Sequence, residues 1–168
     1  KDAKKKWFQD FHWFFTSNGF MVVAGKDAKQ NDLLGAKHLD ADDLFFHAEI
    51  VGAPATILKT AGKNPSEQDE RETAQWAAVY SRAWKAGLHA VDVYCVPGSQ
   101  ISKYSHGEFV GKGAFMVLGK RKYFKNTELK LKIGFSKGVA VAVPSCFSKS
   151  TEKEVVLAPG DLPKEQSA

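Results

Sequence analysis

SEQDERETAQWAAVYSRAWKAG, residues 66–87, is the stretch whose reading decides the fold. Ser66 with Asp69 three positions on resembles a capping box, with Asp in place of the usual Glu. Thr73, Trp76, Ala77, Tyr80, Ala83 and Trp84 recur at the 3.6-residue spacing of a helix with a single apolar stripe. Gly87 supplies a C-terminal stop, so the expectation is one principal helix reaching about Ala86. Such a stripe must face a sheet, and the sequence on both sides supplies strands.

Upstream, HWFFT (12–16) and FMVVA (20–24) flank Ser17-Asn18-Gly19, a turn signal in which Asn and Gly tolerate positive φ, so a hairpin is expected. Asp27 as N-cap opens a short helix to about His38 with Leu33 and Leu34 turned inward, and residues 40–43 make the next turn. In LFFHAEIV (44–51) alternate side chains point to opposite faces. Leu44, Phe46, Ala48 and Ile50 make an apolar face; Phe45, His47, Glu49 and Val51 make a mixed one. Gly52-Ala53-Pro54 interrupts the run and ATILK (55–59) resumes it. Downstream, VDVYCV (91–96), FMVL (115–118), LKLKIGF (129–135) and VAVAV (139–143) read as strands. In the third, Lys130 and Lys132 point away from Leu129, Leu131, Ile133 and Phe135, which lays part of the basic charge on one sheet face. The resulting class is α+β: a largely antiparallel sheet, the principal helix packed on one face, and short accessory helices.

A chain of 168 residues with 43% hydrophobic and 12% aromatic content has ample material for a core in residues 7–150. Residues 151–168 read as a weak edge strand followed by a flexible tail. Four of the first six residues are Lys, and the chain starts at Lys1 rather than Met. Residues 1–6 are therefore expected to be the end of an upstream helical linker or coiled coil, making this a piece of a longer protein. No apolar run is long enough for a membrane span, and the Lys-rich start lacks a signal peptide's apolar segment. Cys95 and Cys146 form no CxxC pairing, which excludes a zinc ribbon or disulfide framework and favours a reducing cytoplasm.

Net charge is +5, but residues 101–137 hold nine Lys or Arg against Glu108 and Glu128, so that segment is +7 and the rest of the chain −2. Concentrated basic charge is what phosphate attraction requires, and it is equally the pattern of a solvated lysine-rich face. GEFVGKGAF (107–115) has the wrong spacing for a Walker A loop and carries Gly113 where Ser or Thr is needed. It is either a plain turn or a glycine hairpin bringing Lys112 to a phosphate. His47 and Glu49 side by side have the arrangement of a carboxylate-oriented histidine: a general base, half of a metal site, a contact to RNA, or a histidine satisfied within the fold. His12, His38, His89 and His106 sit in no metal-ligand spacing, and no metal or cofactor is expected. Aromatics at 7, 8, 11, 13, 14 and 15 beside lysines can build a core or stack unpaired bases.

WFQDFHWFFTSNGFMVVAGKDAKQNDLL (7–34), FFHAEIVGAPATILK (45–59), ETAQWAAVYSRAW (72–84) and QISKYSHGEFVGKGAFMVLGKRKYF (100–124) occur in the order and spacing of one family. Together they resemble the NFACT-R domain, the RNA-binding module of the NFACT family, which includes ribosome quality control proteins of the NEMF or Caliban type and bacterial FbpA-like proteins. The resemblance implies a partnership with tRNA and large-subunit rRNA on stalled nascent-chain complexes, in support of C-terminal tailing. It also implies an attached coiled coil and an NFACT-N domain. The sequence carries neither NFACT-N nor the zinc knuckle of some members, so this chain is expected to bind without elongating and without catalysis. Carried over by position, the resemblance marks Lys26, Gln30, Asn31, His47, Lys59, Lys103, Lys112, Lys120, Arg121 and Lys122 as candidate RNA contacts, with Lys130 and Lys132 added from the strand reading. At Lys26 the family more often has Arg; Lys is a point charge without the bidentate fork. Two other readings stand beside this one: a small nucleic-acid-processing enzyme using His47 and Glu49, and a surface adhesin fragment, raised by bacterial relatives described as fibronectin-binding.

Overall fold

The computed structural model describes residues 4–105 and 108–160, with only the backbone described for Tyr104, Ser105, Glu108 and Phe109. His106, Gly107 and the tail from 161 lie outside the described residues. A 3-10 turn, Trp7–Asp10, leads into β1 (His12–Phe15) and β2 (Met21–Ala24), then α1 (Ala28–Leu33), which runs into a π-helical turn, Leu34–His38. Next come β3 (Leu44–Ala48), β4 (Thr56–Lys59), α2 (Glu67–Val79) and β5 (Ala90–Pro97). Four two-residue strands follow, β6 (Ile101–Ser102), β7 (Tyr104–Ser105), β8 (Glu108–Phe109) and β9 (Met116–Val117). The last are β10 (Lys122–Glu128), β11 (Leu131–Ser136), β12 (Val139–Pro144) and β13 (Glu152–Leu157).

Six strands form the main sheet in the order β1-β2-β4-β3-β5-β10, every neighbour antiparallel. A second sheet, β12-β11-β13, is also antiparallel. The fold is thus α+β with one main helix. α2 lies across one face of the six-stranded sheet, where Trp76, Ala77 and Ala78 meet Phe14, Val22, Phe46, Leu58 and Val93. The other face is covered in two parts: Phe8, Phe11 and Leu34 pack on Val23 and Ile57, and the excursion between β5 and β10 packs Ile101, Phe115 and Val117 on Phe45, Tyr94 and Val96. β3 therefore sends its alternate residues into two separate cores.

The capping box of α2 forms as expected: Ser66 Oγ receives the Asp69 N–H at 3.2 Å and Asp69 Oδ2 receives the Ser66 N–H at 2.8 Å. Its end does not. α2 stops at Val79 rather than near Ala86, because the Ser81 hydroxyl donates to the Ala78 carbonyl and receives the Ala83 N–H. A side chain that competes this way for backbone partners favours a turn over another helical turn. Three further expectations are corrected. β3 ends at Ala48, so Glu49 and Val51 lie in the following turn. Leu33 points outward, 38% exposed, while Leu34 is fully buried. Lys132 does not project from an open sheet face: it is buried, lying 3.6 Å from Glu154 and donating to the Phe147 carbonyl. Among the described residues no helix is long and apolar enough to cross a membrane.

Candidate nucleic-acid interface

Four turns converge beside the β3 end of the sheet and line a half-open cleft of about 660 Å³. The β2–α1 turn brings Lys26, the turn after β3 brings Gly52 to Pro54, the turn after α2 brings Tyr80, Arg82 and Lys85, and the 111–114 turn brings Lys112. His47 of β3 lines the same cleft.

Each wall is fixed by local chemistry. Asp27 caps α1 by receiving the Gln30 N–H at 2.8 Å, which places Lys26 immediately before the helix. Gly52 has φ +83°, and a Cβ there would meet Arg82 Nε at 2.5 Å, so a glycine is what lets the Arg82 side chain lie across the turn. Gly113, φ +77°, sits directly on Ala28, and its N–H donates to Asp32 Oδ1 at 2.8 Å. Lys103 Nζ donates to the same carboxylate at 2.9 Å and also to the carbonyl of Ala114. That ammonium, together with the Gly113 amide, holds the Asp32 carboxyl below the usual carboxylate range. Lys103 thus anchors the loop that carries Lys112.

The candidate residues separate into groups. Lys26, Asn31, His47 and Lys112 come together at the cleft. The Asn31 amide is committed to the fold, since its Oδ1 receives the Ala55 N–H at 3.1 Å. Gln30 is similarly engaged, receiving the Lys26 N–H and donating to the Asp10 carbonyl. Lys59 is bound by Asp40 and Asp43; burial opposes its charge, but the two carboxylates outweigh burial and raise its pKa. Lys122 bridges Glu67 and Glu70 at 2.7 and 2.8 Å, and hydrogen bonds from both raise its pKa. Lys130 pairs with Glu128 at 2.9 Å. Lys120 and Arg121 lie with Lys122 against Pro97 and do not line the cleft, and Arg121 stacks on Tyr94, the neighbour of His47, at 4.3 Å while facing Glu49 at 3.9 Å. The +7 segment is therefore dispersed in space, and much of its charge is locally paired.

Arg82 and Lys85 were not among the candidates, although both belong to or adjoin the 72–84 motif. Both fall inside the helix expected to reach about Ala86 and off its apolar stripe, where nothing in the sequence marks them as site residues. With Lys26 and Lys112 they are exposed cations that have no ion-pair partner among the described residues. His47 is held below its ordinary pKa by burial, against hydrogen bonding to the backbone of Ala48 and Ala53, and is neutral at pH 7. Glu49 forms no hydrogen bond with it among the described residues. Nor does any group of three His, Cys, Asp or Glu among those residues stand where it could hold a metal ion.

The family model of the NFACT protein RNA binding domain matches residues 10–119, which include every wall of the cleft. The chain belongs to the NFACT RNA-binding domain family. This NFACT domain is 41% identical over 167 residues to the archaeal Rqc2 homolog aRqcH of Methanocaldococcus jannaschii, covering 96% of the chain and 25% of that protein. It is 33% identical to the ribosome quality control complex subunit NEMF homolog of Drosophila melanogaster, covering 78% of the chain and 13% of the relative. Against human ribosome quality control complex subunit NEMF it is 30% identical, covering 81% and 12%. The NFACT domain thus spans a quarter or less of these relatives. In fold it is similar to the C-terminal part of the fibronectin/fibrinogen-binding protein from Streptococcus suis, with TM-score 0.59 and 22% identity over 76% of this chain and 48% of that one.

Proposed function

We propose that this domain binds tRNA or large-subunit rRNA as one module of a ribosome quality control factor, working on stalled nascent-chain complexes in the cytoplasm and supporting C-terminal tailing without catalysing it. In this reading the remainder of the protein supplies an NFACT-N domain and a coiled coil, the latter entering at residues 1–6. The observation that carries the proposal is the convergence of Lys26, Arg82, Lys85 and Lys112 on one cleft, none of them in an ion pair among the described residues, against the single cleft-lining carboxylate of Asp27. Exposed cations with no internal partner are free to neutralise phosphates and release counterions.

Binding should therefore weaken steeply as salt rises. Arg82→Ala with Lys112→Ala should lower affinity and flatten the salt slope by up to two contacts' worth, roughly 0.7 to 0.9 each. Lys122→Ala should change little, because that ammonium already bridges two glutamates. Fluorescence anisotropy across a salt series reads both. Equal salt slopes for the wild type and the double variant would remove the cleft from the interface.

A further inference from the structure

The cleft opens onto an aromatic row. In the strand register His47 of β3 stands opposite Tyr94 of β5, and Tyr94 opposite Tyr123 of β10. The rings of His47 and Tyr94 are 5.7 Å apart, and those of Tyr94 and Tyr123 are 6.4 Å apart. Arg121 lies over Tyr94, which is buried beneath it, and Lys125 lies over Tyr123 at 4.7 Å. Tyr123 itself is 44% exposed. Glu49 and Asp92 also reach this row, facing Arg121 at 3.9 Å and Lys125 at 3.4 Å, so its charge is partly balanced. The planes are inclined to one another, by 36° between His47 and Tyr94 and 65° between Tyr94 and Tyr123, so what the row offers a ligand is a series of separate stacking groups: one imidazole, one guanidinium plane and one phenol ring with Lys125 over one side.

We infer that the RNA segment taken by this domain is unpaired, with one nucleotide in the cleft and its neighbours running along the His47-Tyr94-Tyr123 row. The inference rests on the RNA-binding reading and names the form of RNA. Two physical arguments carry it. A recess of about 660 Å³ bounded by four turns is the size of a small-ligand pocket, and a duplex presents no nucleotide that can enter one. Aromatic rings and guanidinium planes, for their part, are useful only to bases whose faces are open, because in a duplex those faces are already stacked. The order of the parts also fits a strand: cations gather at the cleft, where one phosphate would be anchored, and beyond it come the Arg121 guanidinium over Tyr94 and then the part-exposed Tyr123 ring.

Two probes test this, a short oligouridine strand and a blunt RNA duplex of equal length, each titrated against wild type, Tyr123→Val and Arg82→Ala/Lys112→Ala. Tyr123→Val keeps a β-branched residue on the strand while removing the ring, and Arg121→Gln serves as a second row variant should the first lose its fold by circular dichroism. The expected result is at least about tenfold tighter binding of the single strand, with Tyr123→Val weakening that strand by about tenfold and leaving the duplex untouched. Equal binding of both probes, weakened only by the cleft substitutions, would overturn the unpaired-strand inference and keep the RNA-binding reading. Absence of binding to either probe would overturn both.

Discussion

His12 shows how a single side chain ties the interface to the core. Its ring stacks on Tyr80 at 3.9 Å, its backbone carbonyl accepts from the Trp76 indole, and burial together with the Lys26 charge lowers its pKa from 6.5 to about 4. A histidine depressed in the fold binds fewer protons than the same residue in the unfolded chain, so it costs stability wherever the unfolded form protonates alone. Its contribution is neutral above about pH 6.5 and becomes progressively unfavourable down to about pH 4, while the carboxylates held low, such as Asp32 and Asp69, act mainly below that window. His12→Phe keeps a flat ring against Tyr80 and removes the proton site. Urea melts of this variant should show a shallower loss of stability between pH 6.5 and 4 than wild type. Identical pH profiles would mean that His38 and His47, also lowered by burial, carry the effect.

The elements differ in how far they could be read from sequence, and the reasons are physical. The start of α2 was legible because Ser66 and Asp69 satisfy orphan amide groups within four residues of one another. Its end was obscured because Tyr80, Ala83 and Trp84 keep the apolar spacing while the Ser81 hydroxyl breaks the backbone ladder. β10 was missed because KYFKNTE is mostly polar and its alternation is broken by a bulge at Asn126, φ 51°. Arg82 and Lys85 line the cleft for the same reason that α2 stops: they stand in a turn, which lays the Arg82 side chain against Gly52. Between elements, the fully buried Glu72 of α2 secures the β1–β2 hairpin by receiving the Ser17 N–H at 2.9 Å, the Ser17 hydroxyl at 2.7 Å and the Gln68 amide at 2.7 Å. Glu72→Ala would strand those donors in the interior and should destabilise the domain by about 1 to 3 kcal/mol, with Glu72→Gln losing less. Chemical denaturation of the two variants reads the difference.

At the scale of the whole molecule, the sequence reading placed the cationic surface in a contiguous run of residues, whereas the fold assembles it from positions 26, 82, 85 and 112. Pairing removes charge from the run, since Lys103, Lys122, Lys125, Lys130 and Lys132 all face carboxylates, and only the tertiary structure reveals which cations remain available. Because the cleft's walls come from four turns far apart in the chain, no partly unfolded form that releases one of them keeps the site whole. Ligand and fold are then thermodynamically linked. RNA at a hundred times its Kd should add about 2.7 kcal/mol to stability, a rise in Tm of roughly 5 to 10 °C for a domain of this size. The same linkage has a local signature in amide hydrogen exchange: residues 25–28, 52–54, 80–85 and 111–114 should slow together on adding RNA, as a single brace across four turns.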